Sequence, residues 1–302
     1  MKILSFFILI SITMFSAWGN SGESGIITMT TSAECFSFWL IGSGVAIVDW
    51  GDGSKKDTVK LVLADEYRRS WVRRTDLDTI PRTITITGKN ITGLDCDAKF
   101  HILDINRVRP ECNQITALDV SRNATLTYLD CGKNKLTELD ISKNAALLEL
   151  RCDNNQLTEL DVSKNTVLTR LSCGDNSLTK LDVSRNTALT GLFCEKNQLT
   201  ALNVSRNTAL MVFSCNDNQL TALDVSRNTV LKFFKCTSNQ LTTNVLNLLF
   251  GTLHSNTVMD GFLDEGEQIA TKTIYISDNP GSADCDRSIA EAKGWKVSYA
   301  ED

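Results

Sequence analysis

Residues 168–188 read LTRLSCGDNSLTKLDVSRNTA, and with small changes that line is written five times in succession over 126–230, with its first half a sixth time. Its cysteine recurs every 21 residues, at Cys131, Cys152, Cys173, Cys194, Cys215 and Cys236. A fixed step of this length marks a chain of stacked turns: one turn cannot bury its apolar face alone and needs the next. The expected architecture is a right-handed solenoid with a parallel β-sheet along one side, in a mixed α+β chain.

Each position in the turn has legible chemistry. Leucines fill two slots before the cysteine, for example Leu147 and Leu150, with Phe213 and Phe234 in the second slot of the last two turns. The alternation Leu-x-Cys is that of a strand with one buried face. Stacked cysteines point the same way, about 4.8 Å apart. A disulfide needs Cβ atoms about 3.8 Å apart and a torsion near 90°. The six are therefore expected to be buried thiols, acting as small hydrophobes. Asn134, Asn155, Asn176, Asn197, Asn218 and Asn239 follow where the chain leaves the strand. An amide there both donates and accepts, so a stacked column forms a ladder. A second arm carries Leu139, Leu160, Leu181, Leu202 and Leu223, then Asp-Val-Ser and another Asn such as Asn165. Cys35, Cys96, Cys112 and Cys285 lie off this step, and the spacing leaves a Cys96–Cys112 pair open.

On these residues the chain resembles bacterial secreted leucine-rich repeat proteins, in the 21-residue, two-armed class typified by internalins. Leu-x-x-Leu-x-Cys-x-x-Asn-x-Leu is that family's strand segment, with Cys for the third leucine. The resemblance covers residues 90–242. Asn90 to Asp95 reads as half a repeat, Val108 and Pro110 fill the next Leu and Cys slots, and Asn113-Gln114-Ile115 restores the step. An atypical first repeat is what a capped end needs. The resemblance implies a recognition scaffold, because in internalin-like relatives the strand face binds host proteins.

The flanks read differently. Residues 1–19 have the form of an export signal: Lys2, an apolar run from Ile3 to Phe15, then Ala17 and Gly19 where a signal peptidase reads small residues. The run is too short for a membrane span, no second apolar run is long enough, and no cysteine follows for lipidation. Export to the periplasm, the cell surface or the medium is the expectation. Residues 20–89 alternate like strands and form an expected small β-domain. Its Asp49-Trp50-Gly51-Asp52-Gly53 is a turn signal and resembles the hairpin of PKD-like β-sandwich modules. Residues 243–302 are expected to form a mixed cap, with helices at Asn244–Leu253 and Ser288–Lys293 and strands at Thr273–Ser277 and Trp295–Tyr299. No surface-anchor tail is expected after them.

The 302 residues carry a net charge of −5 and a pI near 5.2. That balance gives no global pull toward nucleic acid or anionic membrane. Two histidines, His101 and His254, stand at opposite ends of the repeats, with no nucleophile–base pair, phosphate loop or Cys-x(2–4)-Cys zinc pair. Neither an enzyme nor a cofactor is expected. The second arm hardly changes between turns, whereas the strand's outward positions vary. One column runs Arg107, Tyr128, Glu149, Arg170, Gly191, Val212, Phe233; its neighbour runs Arg109, Asp130, Arg151, Ser172, Phe193, Ser214, Lys235. Drift at neutral positions is the plain explanation. The functional one is a binding face, since clustered aromatic and Arg side chains are the usual anchors of contact surfaces. Its candidates are Arg107, Arg109, Tyr128, Arg151, Arg170, Phe193, Val212 and Phe233, with an extracellular protein as the expected partner. The alternatives are a glycan held by Trp39, Trp50 and Trp71 of the β-domain, and a structural or self-associating envelope protein.

Overall fold

The structure is a computed structural model. It describes residues 25–63, 70–74, 77–97, 113–257, 261–262, 268–269 and 271–299. The export signal expected at 1–19 lies outside the described residues.

Six strands open the chain: β1 (Gly25–Thr31), β2 (Phe36–Gly42), β3 (Gly44–Asp49), β4 (Asp57–Leu61), β5 (Ser70–Arg74) and β6 (Arg82–Gly88). Strict alternation builds them. In β2, Phe36, Phe38 and Leu40 are buried while Ser37, Trp39 and Ile41 are only partly covered. Between β3 and β4 the carboxylates of Asp49 and Asp52 accept from the N–H groups of Gly51 and Ser54 at 3.0 and 2.9 Å, which makes the turn read in the sequence. Gly51 has φ +72°, and a Cβ there would stand 2.4 Å from the Thr83 carbonyl oxygen, so no other residue fits without a shift.

The repeats supply β7 (Ile91–Asp95), β8 (Ala117–Asp119), β9 (Tyr128–Asp130), β10 (Glu149–Arg151), β11 (Arg170–Ser172), β12 (Gly191–Phe193), β13 (Val212–Ser214) and β14 (Phe233–Lys235). The solenoid expected from the 21-residue step is present: β9 to β14 pair in parallel, each residue opposite its equivalent one turn on. The cap follows as α1 (Thr243–Thr252), β15 (Gly261–Phe262), β16 (Gln268–Ile269), β17 (Thr273–Tyr275), α2 (Ser288–Glu291) and β18 (Lys296–Ser298). β17 and β18 extend the parallel sheet beyond β14.

The two ends are joined to the solenoid by strand pairing. One sheet runs β18-β17-β14-β13-β12-β11-β10-β9-β7-β2-β5, parallel up to β7 and antiparallel beyond it. The other runs β4-β3-β6-β1-β8, so a strand of the first repeat's second arm closes the amino-terminal sheet. A solenoid's first turn exposes a strand edge and apolar side chains, and β1 and β2 cover both.

The core is one continuous column. Its leucines before and after the cysteines, with Phe213 and Phe234 stacked at 5.1 Å, are fully buried, and those of the second arm nearly so. The cysteines run inside it as free thiols, whose pKa values burial pushes well up. Asn197 shows the polar frame around them. Its Oδ1 accepts from the Leu178 N–H at 2.9 Å, and its Nδ2 faces the carbonyls of Cys173, Cys194 and Glu195 at 3.1–3.2 Å. The pattern repeats up to Asn239, and Asn279 of the cap carries it one turn further. Beside each such Asn the chain bends through a left-handed residue: Lys133, Asn154, Asp175, Lys196, Asp217 and Ser238 have φ of 50–54°.

Three expectations change at the amino-terminal end. Leu94 and Asp95 lie opposite Leu129 and Asp130 across β7 and β9, and the Cys96 N–H donates to the Asp130 carbonyl at 2.7 Å. Cys96 therefore stands on the ladder, as its first member. It is also a free, buried thiol, so the pairing with Cys112 left open by the spacing is not formed; Cys35 is disulfide-bonded instead. Cys112 lies outside the described residues. Lastly, β7 is the direct neighbour of β9, so the place in the sheet expected for Arg107 and Arg109 belongs to Gly93 and Asp95.

Candidate functional site

Register assembles the candidate face. Residues before each ladder cysteine point outward from the long sheet, and in-register pairing lines them up. The row that begins at Asp130 and Arg151 passes through Phe193 to Tyr275. At its other end Asp130 is paired with Asp95, Asp95 with Trp39 and Trp39 with Trp71. Trp39 and Trp71 thus lie on the same face as the variable columns. Their rings stack at 5.8 Å with 25° between planes, Trp71 is 38% exposed, and the Arg73 guanidinium lies 5.8 Å from its ring. Trp50 is elsewhere: 1% exposed, it packs against Phe38 in the amino-terminal core and donates from Nε1 to Asp57.

The middle of the face is an ordered set of charges. Arg151 Nε donates to Glu149 at 2.7 Å, and Arg170 reaches the same carboxylate oxygen at 3.8 Å. The Arg170 guanidinium lies 4.4 Å from the Phe193 ring centre, a cation–π contact that fixes both side chains. Further on, Phe233 and Tyr275 meet with ring centres 5.3 Å apart. Arginines already held in place lose less freedom when a partner binds.

Near the amino-terminal end the face is acidic. Asp95, Asp97 and Asp130 are buried, and the Gly132 N–H donates to Asp130 at 3.1 Å. Burial first, then the charges of Asp95 and Asp97, raise the Asp130 carboxyl to about 7. Burial raises Tyr128 as well, and its hydroxyl lies 3.5 Å from Asp130. Burial likewise raises Glu195, which packs over Gly174.

Of the sequence-predicted residues, Tyr128, Arg151, Arg170, Phe193 and Phe233 are partly exposed on this face. Val212 is not: it keeps 8% exposure beside the larger Phe233 ring, its register partner. Arg107 and Arg109 lie outside the described residues. Asp95 and Tyr275 were missed. For Asp95 a signal existed, since Thr92-Gly93-Leu94-Asp95-Cys96 matches Thr127-Tyr128-Leu129-Asp130-Cys131 at four of five positions. For Tyr275 there was none, because Ile276 takes the cysteine slot.

Among the described residues no group of three His, Cys, Asp or Glu side chains is placed to hold a metal ion. No described helix is long and apolar enough to cross a membrane.

No protein-family model and no curated protein sequence matches the chain. Solved structures do. The functional domain of InlJ from Listeria monocytogenes, described as including a cysteine ladder, is 30% identical over 70% of this chain and 50% of its own, with a TM-score of 0.44. An internalin (inlF) from Listeria monocytogenes is 21% identical over 63% of this chain and 52% of its own, with a TM-score of 0.50. A leucine-rich repeat protein of Leptospira interrogans is 22% identical over 60% and 44%, with a TM-score of 0.49. The chain spans about half the length of these structures. Strand pairing at a 21-residue step and the likeness to the inlF structure show one fold: the chain is a leucine-rich repeat solenoid of the internalin-like kind.

Proposed function

We propose that this protein is an exported recognition scaffold that binds an extracellular protein through the outward face of its long sheet. One observation carries the reading. The two variable columns of the repeats run side by side on one face, and the row through Phe193 has Trp39 and Trp71 at one end and Tyr275 at the other. Aromatic and Arg side chains, some held by Glu149 and Phe193, occupy its middle, and such groups dominate binding energy at protein interfaces. Export is supported by the form of residues 1–19. The test is to compare binding by the wild type and by Phe193→Ser combined with Phe233→Ser, with circular dichroism to check folding. A captured extracellular protein should be lost with the double variant; equal capture removes the face from the account.

A second reading has its own observation. Trp71 is an exposed indole stacked on Trp39, the kind of apolar platform a sugar ring packs against. A glycan held there would share the face rather than use a separate module. Trp71→Ala should then abolish glycan binding and leave the Phe193 region's partner unaffected.

A further inference from the structure

The turn that closes each second arm carries two charged columns unrelated to the face above. Asp119, Asp140, Asp161, Asp182 and Asp224 form one, interrupted by Asn203. Three residues later Arg122, Lys143, Lys164, Arg185, Arg206 and Arg227 form the other. All twelve side chains are exposed. In this arm Asn165 Nδ2 donates to the Ile141 and Asn144 carbonyls of the preceding turn at 3.1 and 2.9 Å, and the same bonds recur at Asn186, Asn207 and Asn228, so equivalent residues of successive turns stack in line. An unbroken basic stripe thus runs along the solenoid beside a nearly unbroken acidic one.

The acidic stripe is rigid and fully charged. Each Asp accepts from the N–H of the Ser two residues on, at 2.8 Å in Asp140 and Asp161. Those Ser groups hold the carboxyls below their usual range, with a smaller contribution from the neighbouring base. Asn203 makes the same bond, to the Ser205 N–H at 3.0 Å. An amide therefore suffices for the turn, and the charge at the other five positions is not needed to build it.

What such a pair of stripes fits follows from symmetry. A polyanion laid on the bases meets a carboxylate in almost every turn, and a polycation laid on the acids meets a base. A surface with the same two columns in the opposite order and the same step satisfies both. A second copy of this chain, turned about a two-fold axis parallel to the solenoid axis, presents that surface: its acids face the bases of the first copy, turn for turn. Such a self-complementary contact is the form a two-fold dimer takes. We propose that these paired stripes are a homotypic docking edge, joining two solenoids side by side in parallel. Exposed ion pairs are individually weak and screened by salt, so the association is weak, summed over turns, and lost at high ionic strength.

Sedimentation equilibrium on the intact protein over a wide concentration range, at low and at high salt, tests this. The expected result is a monomer–dimer equilibrium at low salt that salt abolishes. Asp140→Asn, Asp161→Asn and Asp182→Asn together keep the turn, as Asn203 does, and should weaken the dimer about tenfold or more. Lys143→Gln, Lys164→Gln and Arg185→Gln together should do the same, and this set decides the matter if the first melts early. A monomer at every concentration, or a dimer that either set leaves intact, overturns the proposal. So does a monomer that binds dextran sulfate more tightly once the three Asp charges are removed, which would make the stripe a polyanion site.

Discussion

Leu94 stands opposite Leu129 in parallel register across β7 and β9, and this one pairing decides how the solenoid begins. It puts Cys96 at the head of the thiol ladder and Asp95 beside Asp130 on the outward face. It also makes the amino-terminal strands part of the solenoid's own sheet, because β7 pairs on its other edge with β2.

The amino-terminal segment should therefore behave as a cap and not as a detachable module. Deleting residues 20–89 removes β1 to β6 and uncovers the edge of β7 and the apolar first turn. The expected outcome is aggregation or a markedly lower Tm, measured by calorimetry and light scattering. A truncated chain that stays monomeric with an unchanged Tm would show two independent units.

Thiol accessibility follows from burial. Seven of the free cysteines, Cys96 and the six of the repeats, are buried, and Cys285 is partly exposed. Burial also keeps them protonated and unreactive. An alkylating reagent should modify the native protein at Cys285 alone among these eight, and all eight after unfolding without reductant. Fewer than seven modified in the unfolded chain would mean that ladder thiols are oxidised.

Two neighbours in one turn should respond with opposite signs. Asn197→Ala leaves the Leu178 N–H without its acceptor and takes one of two donors from each of the Cys173, Cys194 and Glu195 carbonyls, which keep Asn176, Asn218 and the Asp175 N–H. One orphaned buried N–H costs about 1–3 kcal/mol. Lys196 holds φ 50°, a conformation glycine adopts without strain. Lys196→Gly should be neutral or stabilising by up to about 1 kcal/mol. Denaturant midpoints of the two variants measure both.

The raised carboxyl of Asp130 makes stability depend on pH. Its folded pKa, about 7, lies above the value near 3.8 expected when unfolded. The folded state binds the extra proton between those values. Its contribution is complete below about pH 4 and is lost as the pH rises through 7. Asp130→Asn cannot ionise, so beside Asp95, Asp97 and Asp153 it should melt several degrees above wild type at pH 8 and close to it at pH 4. A constant difference across that range would contradict this origin.

How far the sequence carried can be read from the same residues. The repeat positions were legible because each is set by its own turn: Leu150 and Cys152 inward, Asn155 at the bend. The start was not, because Cys96 and Cys131 stand 35 residues apart in the sequence instead of 21, which hides the match of Leu94-Asp95-Cys96 to Leu129-Asp130-Cys131. The outward position of Trp39 was implicit in the alternation of β2, but its place in the row depends on pairing with Asp95, far away in sequence. Val212 shows a further limit: an outward-facing side chain is buried when a taller one, Phe233, stands next to it.

The central claim is that the outward face of the long sheet is where a partner sits. A photo-crosslinking amino acid placed at position 193 or 233, and at position 159 on the second arm as a control, tests it directly. The protein would be exposed to extracellular proteins and glycans, irradiated, and its adducts identified by mass spectrometry. A single species attached at 193 and 233, and absent at 159, is the predicted result. That same species attached equally well from 159, or from 159 alone, would contradict it; adducts to a second copy of this chain at 159 would not.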